Sequence, residues 1–537
     1  MTHDQHPTPP AESSQPTPET VTRRETGPER GPWARHAHVV IVGAGFAGLG
    51  TAIRLFQEGH RDVLILERAG EVGGTWRDNT YPGCACDVPS HLYSFSFAPN
   101  PDWSRRFAPQ AEIGDYLRRC ADEFGVRPHL RLNCEMERAE WDAGARLWRL
   151  ETSDGPLTAR VLVLAQGPLS EPAIPELPGL DRFTGEMFHS ARWNHAHDLR
   201  GRRVGVVGTG ASAIQFVPHL QRVARHVTVF QRTPSWIVPR GDREIPPWQR
   251  RLLRRAPLLQ RLIRGAEYLA CEATLPALLG NRTLRALAQR QALDHLHRQV
   301  SDPALRAKLT PHYEMGCKRI LISNDYYPAL TQPNVTVTTD RILRVDAGAV
   351  ITTGGPRAQT PAHRVDTLIF GTGFRVNDAT QPRQVIGAAG RSLHQIWDGS
   401  PQAYLGTTVA GFPNLFMMAG PNTGLGHNSI IYMIESQIDY LLSCLDLMRD
   451  RDLDAVEVRA AVQNAYNAGL QRRLAFTVWK SEGCASWYQD GKGRVTTLWP
   501  EPTWRFRRRT RTFDPRHYLL TAADHTPIPA TQDEPVS

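Results

Sequence analysis

A glycine-rich turn between a short apolar strand and a helix most tightly constrains how this chain can fold. The run Val39–Val42 is β-branched and continuously apolar, which is typical of a buried parallel strand. It leads into Gly43-Ala44-Gly45-Phe46-Ala47-Gly48, after which apolar residues recur at helical spacing. In such a turn Gly43 permits the bend, Gly45 lets a pyrophosphate approach the backbone, and Gly48 lets the helix pack on the strand. The pattern predicts a dinucleotide site at the start of a Rossmann-like unit.

An acidic residue completes this first unit. The second apolar run, Val63–Leu66, is followed directly by Glu67. A carboxylate at the end of the second strand accepts hydrogen bonds from ribose hydroxyls. We therefore expect the first unit to bind a dinucleotide such as FAD.

The same pattern returns in the middle of the chain. The strand-like run Val204–Val207 leads into a second turn, and its small residues correspond to the three glycines of the first turn: Gly208, Gly210 and Ala213. After the next apolar run, Arg232 and Thr233 stand where the first unit has its carboxylate. A guanidinium beside a hydroxyl suits a 2′-phosphate, so the second unit is predicted to bind NADPH in preference to NADH. The alternative is that Arg232 is a solvated charge at the end of a strand.

These repeats predict the fold class and the domain order. Each turn begins a region that closes with short predicted strands and a glycine, and these closing parts are residues 134–167 and 334–373. Between them lies a Leu/Arg/Ala-rich stretch with helical periodicity. We expect an α/β protein with two Rossmann-like dinucleotide-binding domains, for FAD and NADPH, and a helical insertion. The predicted segments are a disordered tail at 1–36, FAD-binding domain at 37–170 and 372–515, NADPH-binding domain at 171–240 and 316–371, the insertion at 241–315, and a tail at 516–537.

Composition excludes several other classes. With 537 residues, 41% hydrophobic and 22% charged, the chain is an ordinary globular protein, and its net charge of +9 is too mild to indicate a nucleic-acid partner. No apolar run is long enough to predict a membrane span, although the basic amphipathic stretch 248–263 leaves contact with a membrane surface open. Eight cysteines without a CxxC pair predict neither a metal site nor a disulfide scaffold, which favours a reducing, cytoplasmic setting and argues against a disulfide reductase.

Two further motifs resemble a known family. Between the two nucleotide units, Phe183 to Trp193 has the form FxGxxxHxxxW, with His189 as its histidine. Gly73-Gly74-Thr75-Trp76, followed by Tyr81-Pro82-Gly83 and Asp87, has the form GGxWxxxx[FY]PGxxxD. Both are similar to the signatures of type I Baeyer-Villiger monooxygenases, a resemblance that covers roughly residues 38 to 515. One position departs, because the family pattern usually continues with Pro or Asp where this chain has Asn194.

The resemblance implies a reaction and its cofactors. NADPH reduces FAD, dioxygen adds to the flavin to give a C4a-peroxyflavin, and this anion attacks a small ketone so that one oxygen atom enters next to the carbonyl. The product is an ester or lactone. Asn194 leaves a second function as an alternative, that of a monooxygenase that oxidises nitrogen or sulfur. A third alternative is a non-catalytic nucleotide-binding protein.

The resemblance also implies roles for individual residues. Arg319 matches the cation that stabilises the anion, a role suited to a side chain that cannot lose its proton, and Asp87 matches the carboxylate that positions it. Lys318 is expected to help Arg232 and Thr233 hold the 2′-phosphate. Thr75, Trp76 and Asp87 belong to the motif on the FAD side, Trp487 is expected near the nicotinamide, and His189 is expected to couple reduction to oxygenation. Each of four residues also has a simpler interpretation. Arg319 could be a surface cation and Asp87 a turn carboxylate. Trp487 could be a core tryptophan and His189 a structural histidine.

Overall fold

The first predicted strand, β1, lies in the interior of a large sheet. The structure is a computed structural model that describes residues 35–354, 360–376, 381–522 and 527–528. β1 pairs in parallel with both β2 and β6, and all of Val39, Val40 and Ile41 are fully buried, as expected for a central strand. The sheet order is β17-β4-β5-β6-β1-β2-β3, with β18 also paired to β6. Its strands are β1 (His36–Val42), β2 (Val63–Glu67), β3 (Leu130–Leu132), β4 (Met136–Asp142), β5 (Leu147–Thr152), β6 (Gly155–Leu164), β17 (Val385–Ile386) and β18 (Leu415–Met417).

The second glycine turn belongs to a separate parallel sheet. Its order is β12-β9-β8-β16-β7, so the strand before the turn, β8, is again central and flanked on both sides. The strands are β7 (Glu186–His189), β8 (Arg203–Val207), β9 (His226–Phe230), β12 (Val335–Thr338) and β16 (Thr367–Phe370). The first sheet is mixed, because β5 pairs antiparallel with β4 and β6, whereas β1 pairs in parallel with its neighbours β6 and β2. Together with the helices below, these parallel strands and the parallel second sheet confirm the predicted α/β class with two Rossmann-like units.

Smaller sheets and the helices complete the described chain. The remaining strands are β10 (Ile237–Val238), β11 (Leu321–Ile322), β13 (Ile342–Asp346), β14 (Ala349–Thr352), β15 (Ala362–Arg364), β19 (Leu453–Val458), β20 (Tyr518–Ala522) and β21 (Pro527–Ile528). The helices are α1 (Phe46–Gln57), α2 (Thr75–Asp78), α3 (Gln110–Glu123), α4 (Ala211–Val223), α5 (Pro247–Arg255), α6 (Pro257–Glu272), α7 (Leu275–Leu278), α8 (Arg282–Gln299), α9 (Pro303–Leu309), α10 (Tyr326–Leu330), α11 (Gln381–Gln384), α12 (Leu393–Trp397), α13 (Ile430–Asp450), α14 (Ala460–Leu474) and α15 (Thr503–Thr510). Helices α5 to α9 occupy the stretch in which the sequence predicts a helical insertion.

The C-terminal prediction needs a correction. The prediction of a tail from residue 516 onward is wrong for residues 518–522, because Tyr518–Ala522 forms β20 and pairs antiparallel with β19. Tyr518 and Leu520 are buried, and this short alternation is enough to hold the strand. Residues 1–34 of the predicted N-terminal tail lie outside the described residues, as do 523–526 and 529–537. Among the residues with described positions, no helix is long and apolar enough to cross a membrane.

Candidate active site

The first glycine turn is built so closely that side chains are excluded from it. Gly43 has a φ of +105°, which other residues rarely adopt. A Cβ atom on Gly48 would lie 1.8 Å from the carbonyl oxygen of Gly43, so α1 can approach β1 only through a glycine. The backbone of Gly45 lies beside Gly74, whose Cα would be 3.7 Å from a Cβ on Gly45. Two glycine segments therefore meet at the N-terminus of α1 and form a backbone cradle suited to a pyrophosphate.

Glu67 lies at this turn, as its position at the end of β2 predicts. It is 5% exposed, and its carboxylate accepts hydrogen bonds from the backbone N–H groups of Ala44, at 2.9 Å, and Ala69, at 3.0 Å. Arg77 forms an ion pair with the same carboxylate at 2.8 Å. Because a carboxylate offers about four acceptor positions, it retains capacity for a ribose hydroxyl. The surroundings of Glu67 thus fit the adenosine half of FAD.

The second motif on this side supplies α2. The Gly73 N–H donates to the Ala44 carbonyl at 2.9 Å, which fixes the motif against the first turn. Thr75 is exposed at the start of α2, whereas Trp76 is buried and donates from Nε1 to the Tyr93 hydroxyl at 3.1 Å. Thr75 is therefore the accessible member of the pair, and Trp76 helps to hold the motif in place.

The second turn repeats the backbone geometry of the first. Gly208 has a φ of +107°, and a Cβ atom there would lie 2.5 Å from the Gly371 carbonyl oxygen. Gly210 is less crowded, since its Cβ would be 3.9 Å from the same oxygen. Ala213 stands where the first turn has its third glycine and is fully buried, so the second unit accommodates one methyl group at the helix–strand contact.

Two cations lie together beyond this second turn. Arg232 is exposed, Lys318 is half-buried, and the pKa of Lys318 is lowered by burial and then by the charge of Arg232. Within the ranges that the structure describes, neither side chain forms an ion pair with a carboxylate. Thr233 is joined to the turn through its carbonyl, which accepts from the Thr209 hydroxyl at 3.0 Å. Neighbouring cations without an acidic partner fit the 2′-phosphate of NADPH.

Arg319 and Asp87, 232 residues apart, form the ion pair on which the site is built. Arg319 donates from Nε to Oδ2 of Asp87 at 2.8 Å, and its Nη2 lies 2.7 Å from the same oxygen. The Nη1 group reaches the Leu425 carbonyl at 3.4 Å. About a third of each side chain is exposed, and the pKa of Arg319 is raised above its ordinary value, chiefly by the Asp87 carboxylate. The guanidinium is therefore fixed, charged and accessible.

Two tyrosines beside this pair are functional candidates for which the sequence suggests no role. Tyr488 is 1% exposed and interacts with Arg319, and burial raises its pKa to about 12 despite that cation. Tyr93 has its pKa raised by burial and then by Cys86, and it also lies within the influence of Asp87 and Arg319. Tyr488 lies within the part of the chain that resembles the family, but its position in the sequence gives no sign of its contact with Arg319.

Trp487 is placed differently from its neighbour. Its side chain is 45% exposed and its ring centroid lies 4.5 Å from that of Tyr488. The structure therefore puts Trp487 on the outer side of Tyr488, next to the site. Its expected contact with the nicotinamide stays a prediction.

His189 lies in the second unit, and its contacts there are with the neighbouring segment and with the end of β16. It ends β7 beside the closing glycines of β16, with its ring centroid 5.7 Å from that of Phe374. Its Nδ1 accepts from the Ala191 N–H at 3.1 Å, and burial lowers its pKa to about 4. The ring is thus neutral near pH 7. This position suits a coupling or structural role, while proton transfer at a substrate beside Arg319 has no support from it.

The cysteines differ from expectation at one pair. Cys317 and Cys484 form a disulfide, with Cα atoms 5.6 Å apart. Composition favours reduced thiols throughout, and a pairing across 167 residues leaves no local pattern that could be recognised. The other described cysteines are free, and most of them are buried.

Known proteins are similar to most of this chain in sequence and in fold. Residues 40–263 match the family described as pyridine nucleotide-disulphide oxidoreductase, a range that includes both glycine turns. A Baeyer-Villiger monooxygenase of Pseudomonas aeruginosa is 50% identical over 503 residues, which are 93% of this chain and 94% of that protein.

Solved structures agree in fold. Cyclohexanone monooxygenase from Rhodococcus sp. Phi1, bound to NADP+, superposes with a TM-score of 0.80 at 27% identity, covering 91% of this chain and 99% of that one. The OTEMO complex with FAD and NADP gives a TM-score of 0.79 at 28% identity, covering 88% and 97% respectively.

Proposed function

Because the chain belongs to the Baeyer-Villiger monooxygenase family, we propose that the Asp87–Arg319 pair is the centre at which it inserts one oxygen atom of O2 next to a ketone carbonyl. The enzyme depends on FAD and NADPH and gives an ester or lactone. When bound, FAD accepts a hydride from NADPH and activates dioxygen. The residues of this chain bind the two nucleotides, orient them and stabilise the charge that develops in the reaction.

Each nucleotide has its own set of residues in this proposal. The first turn, with α2 and Glu67, holds FAD, through Gly43, Gly45, Gly48, Glu67, Thr75, Trp76 and Asp87. The second turn, with its two cations, holds NADPH, through Gly208, Gly210, Ala213, Arg232, Thr233 and Lys318. The carboxylate in one set and the cations in the other match a free ribose hydroxyl and a 2′-phosphate.

Arg319 is proposed to stabilise negative charge on the reacting oxygen. Asp87 accepts two of its donors, which fixes the plane of the guanidinium and leaves other N–H groups for an anion. A lysine ammonium has no planar fork of donors to be fixed in this way and could lose its proton, whereas the raised pKa of Arg319 keeps its charge at every pH of interest. The buried ring of Tyr488 and the partly buried ring of Tyr93 lower the local dielectric, which strengthens the attraction.

A preference for nitrogen or sulfur receives no support from Asn194. Its amide donates to the Glu186 carboxylate at 2.7 Å and its carbonyl oxygen accepts from the Ala196 N–H at 3.0 Å. The departure from the family pattern is thus accommodated by a local turn. Ketone oxidation is therefore the function that the site supports best.

The observation that carries the proposal is the fixed, accessible guanidinium of Arg319. The test is to incubate the holoenzyme with NADPH and linear, cyclic, aryl and steroidal ketones, together with sulfides and amines, and to identify products by mass. We expect esters or lactones one oxygen heavier than the ketone. Oxygen gained only by sulfides or amines would instead assign heteroatom oxidation, and no product with any compound would leave a nucleotide-binding role.

A further inference from the structure

The disulfide Cys317–Cys484 joins the two segments that form one side of the candidate site. Cys317 comes two residues before Arg319, and Cys484 comes three residues before Trp487 and four before Tyr488. No other disulfide is formed in the described ranges. The cross-link therefore lies where it can influence the placement of the Arg319 segment relative to the loop 481–490.

The two ends of this cross-link differ in their surroundings. Cys317 is fully buried and follows Gly316, where an added Cβ would lie 2.6 Å from Leu278 and 3.0 Å from Val478. This end is held by close packing. Cys484 is only partly buried, and Glu482, Gly483, Ala485 and Trp487 around it are exposed. The bond thus ties an exposed loop to a fixed point beside Arg319.

Small molecules can approach this region through a surface cavity. The cavity has a volume of about 560 Å³ and is lined by residues from α8 and from both cysteine-bearing segments, namely Arg282, Arg285, Gln289, Glu314, Ser481 and Glu482. Glu314 lies three residues before Cys317, and Ser481 three before Cys484. Neither cysteine is among the lining residues, but the cavity is lined by the segments that carry them, so an oxidant or a reductant that enters it contacts both segments.

We propose that Cys317 and Cys484 form a reversible redox site that controls how firmly the loop 481–490 is held beside Arg319. Hydrogen peroxide, the product when the oxidase side reaction of a flavin monooxygenase consumes NADPH without oxygenating a ketone, is the oxidant. Two thiols and one hydrogen peroxide give one disulfide and two water molecules: the S–S bond forms, the O–O bond breaks, and both thiol protons end in water. A dithiol reductant restores the two thiols.

This inference rests on the proposed function, because Trp487 is expected near the nicotinamide. With the disulfide formed, the loop that carries Trp487 and Tyr488 has fewer conformations available, so less entropy is lost when the nucleotide binds. NADP+ is then held more tightly. With the thiols reduced, NADP+ leaves more readily and more peroxide escapes. Wasted turnover thereby generates the oxidant that tightens the site.

The test compares the oxidised and reduced holoenzyme. After treatment with hydrogen peroxide or dithiothreitol, free thiols are alkylated and peptides are identified by mass, and the NADP+ dissociation constant is measured by calorimetry. We expect the linked Cys317 and Cys484 peptides only after oxidation, and NADP+ binding about three- to tenfold tighter in that state. Trypsin cleavage after the exposed Lys480 and Lys492, which flank the loop, should be slower in the oxidised enzyme.

Matched variants assign the effect to this pair. Cys484→Ser, at the more exposed end, and Cys317→Ser should each show the reduced behaviour under both treatments. Cys271→Ser changes a partly buried thiol whose pKa is raised by burial to about 11, and it should respond like the wild type. The comparison of the oxidised with the reduced wild-type enzyme does not depend on whether any variant folds.

Each outcome decides the question. Absence of the linked peptides after peroxide treatment would overturn the redox site, and so would linked peptides with an unchanged NADP+ affinity. Ketone oxidation that proceeds equally in both redox states would sink this inference but leave the proposed function intact. Failure to oxidise any ketone in either state would contradict the proposed function itself.

Discussion

The two nucleotide-binding units share a backbone design but differ in charge. Gly43 and Gly208 have φ values of +105° and +107°, and each turn follows a central parallel strand. In the first unit, buried Glu67 is already engaged by the turn and by Arg77. In the second, Arg232 and Lys318 are cations without an acidic partner among the residues described. In the proposed function, the shared turn provides a dinucleotide site and the charge beside it determines which dinucleotide binds.

The largest difference between the turns is expected at the contact of helix and strand. Gly48→Ala should abolish FAD binding and lower the free energy of unfolding by about 3 kcal/mol, because its Cβ would lie 1.8 Å from a backbone oxygen that no rotamer change can move. The checks are the FAD content of the purified protein and denaturant unfolding. A variant with full FAD occupancy would show that the first turn is no tighter than the second.

Glu67→Gln tests the carboxylate of the first unit. We expect FAD affinity to fall by about tenfold and stability by about 1–2 kcal/mol, because an amide cannot accept from both backbone N–H groups and Arg77 together. Flavin release during dilution measures the affinity. The matched control is Glu71→Gln, the same change in a more exposed glutamate that pairs with Arg127, and it should retain FAD.

Arg232→Gln and Lys318→Gln test the cations of the second unit. Each should raise the KM for NADPH by about tenfold while leaving that for NADH nearly unchanged, since only NADPH carries the 2′-phosphate. Steady-state NADPH and NADH oxidation provide the measurement. Arg225→Gln, an exposed arginine just before β9, is the control. An equal loss with both nucleotides would mean that these side chains do not select the phosphate.

The smallest effect is expected from Ala213→Gly, which gives the second turn the residue found in the first. Removing one buried methyl group and adding backbone freedom in α4 should cost about 1 kcal/mol of stability. The KM for NADPH should stay within about twofold, because the backbone cradle is unchanged. A larger loss of NADPH binding would indicate that the methyl group itself shapes the second site.

The fold was predictable because its two units are local patterns. Strand, glycine turn, helix and the residue after the next strand lie close together in sequence, so Glu67 and Arg232 could be placed beside their turns from spacing alone. Strand β20 escaped prediction because the alternation of Tyr518 and Leu520 is too short to distinguish from a tail.

The candidate site was predictable only in part, because its contacts are long-range. Asp87 and Arg319 are brought together across 232 residues, and their pairing was expected from the family resemblance alone. The Tyr488 contact and the bond between Cys317 and Cys484 leave no mark in local spacing, since they depend on how the loops fold back on the two units.

The most direct measurement is ester formation by Arg319→Ala, alongside the rate at which NADPH reduces its flavin. We expect ester formation to fall by about 100- to 1000-fold while flavin reduction is nearly unchanged, with NADPH oxidation diverted to hydrogen peroxide. Arg319→Lys should recover little, because an ammonium cannot reproduce the paired contacts to Asp87. Ester formation at the wild-type rate in Arg319→Ala would contradict the central role given to this guanidinium.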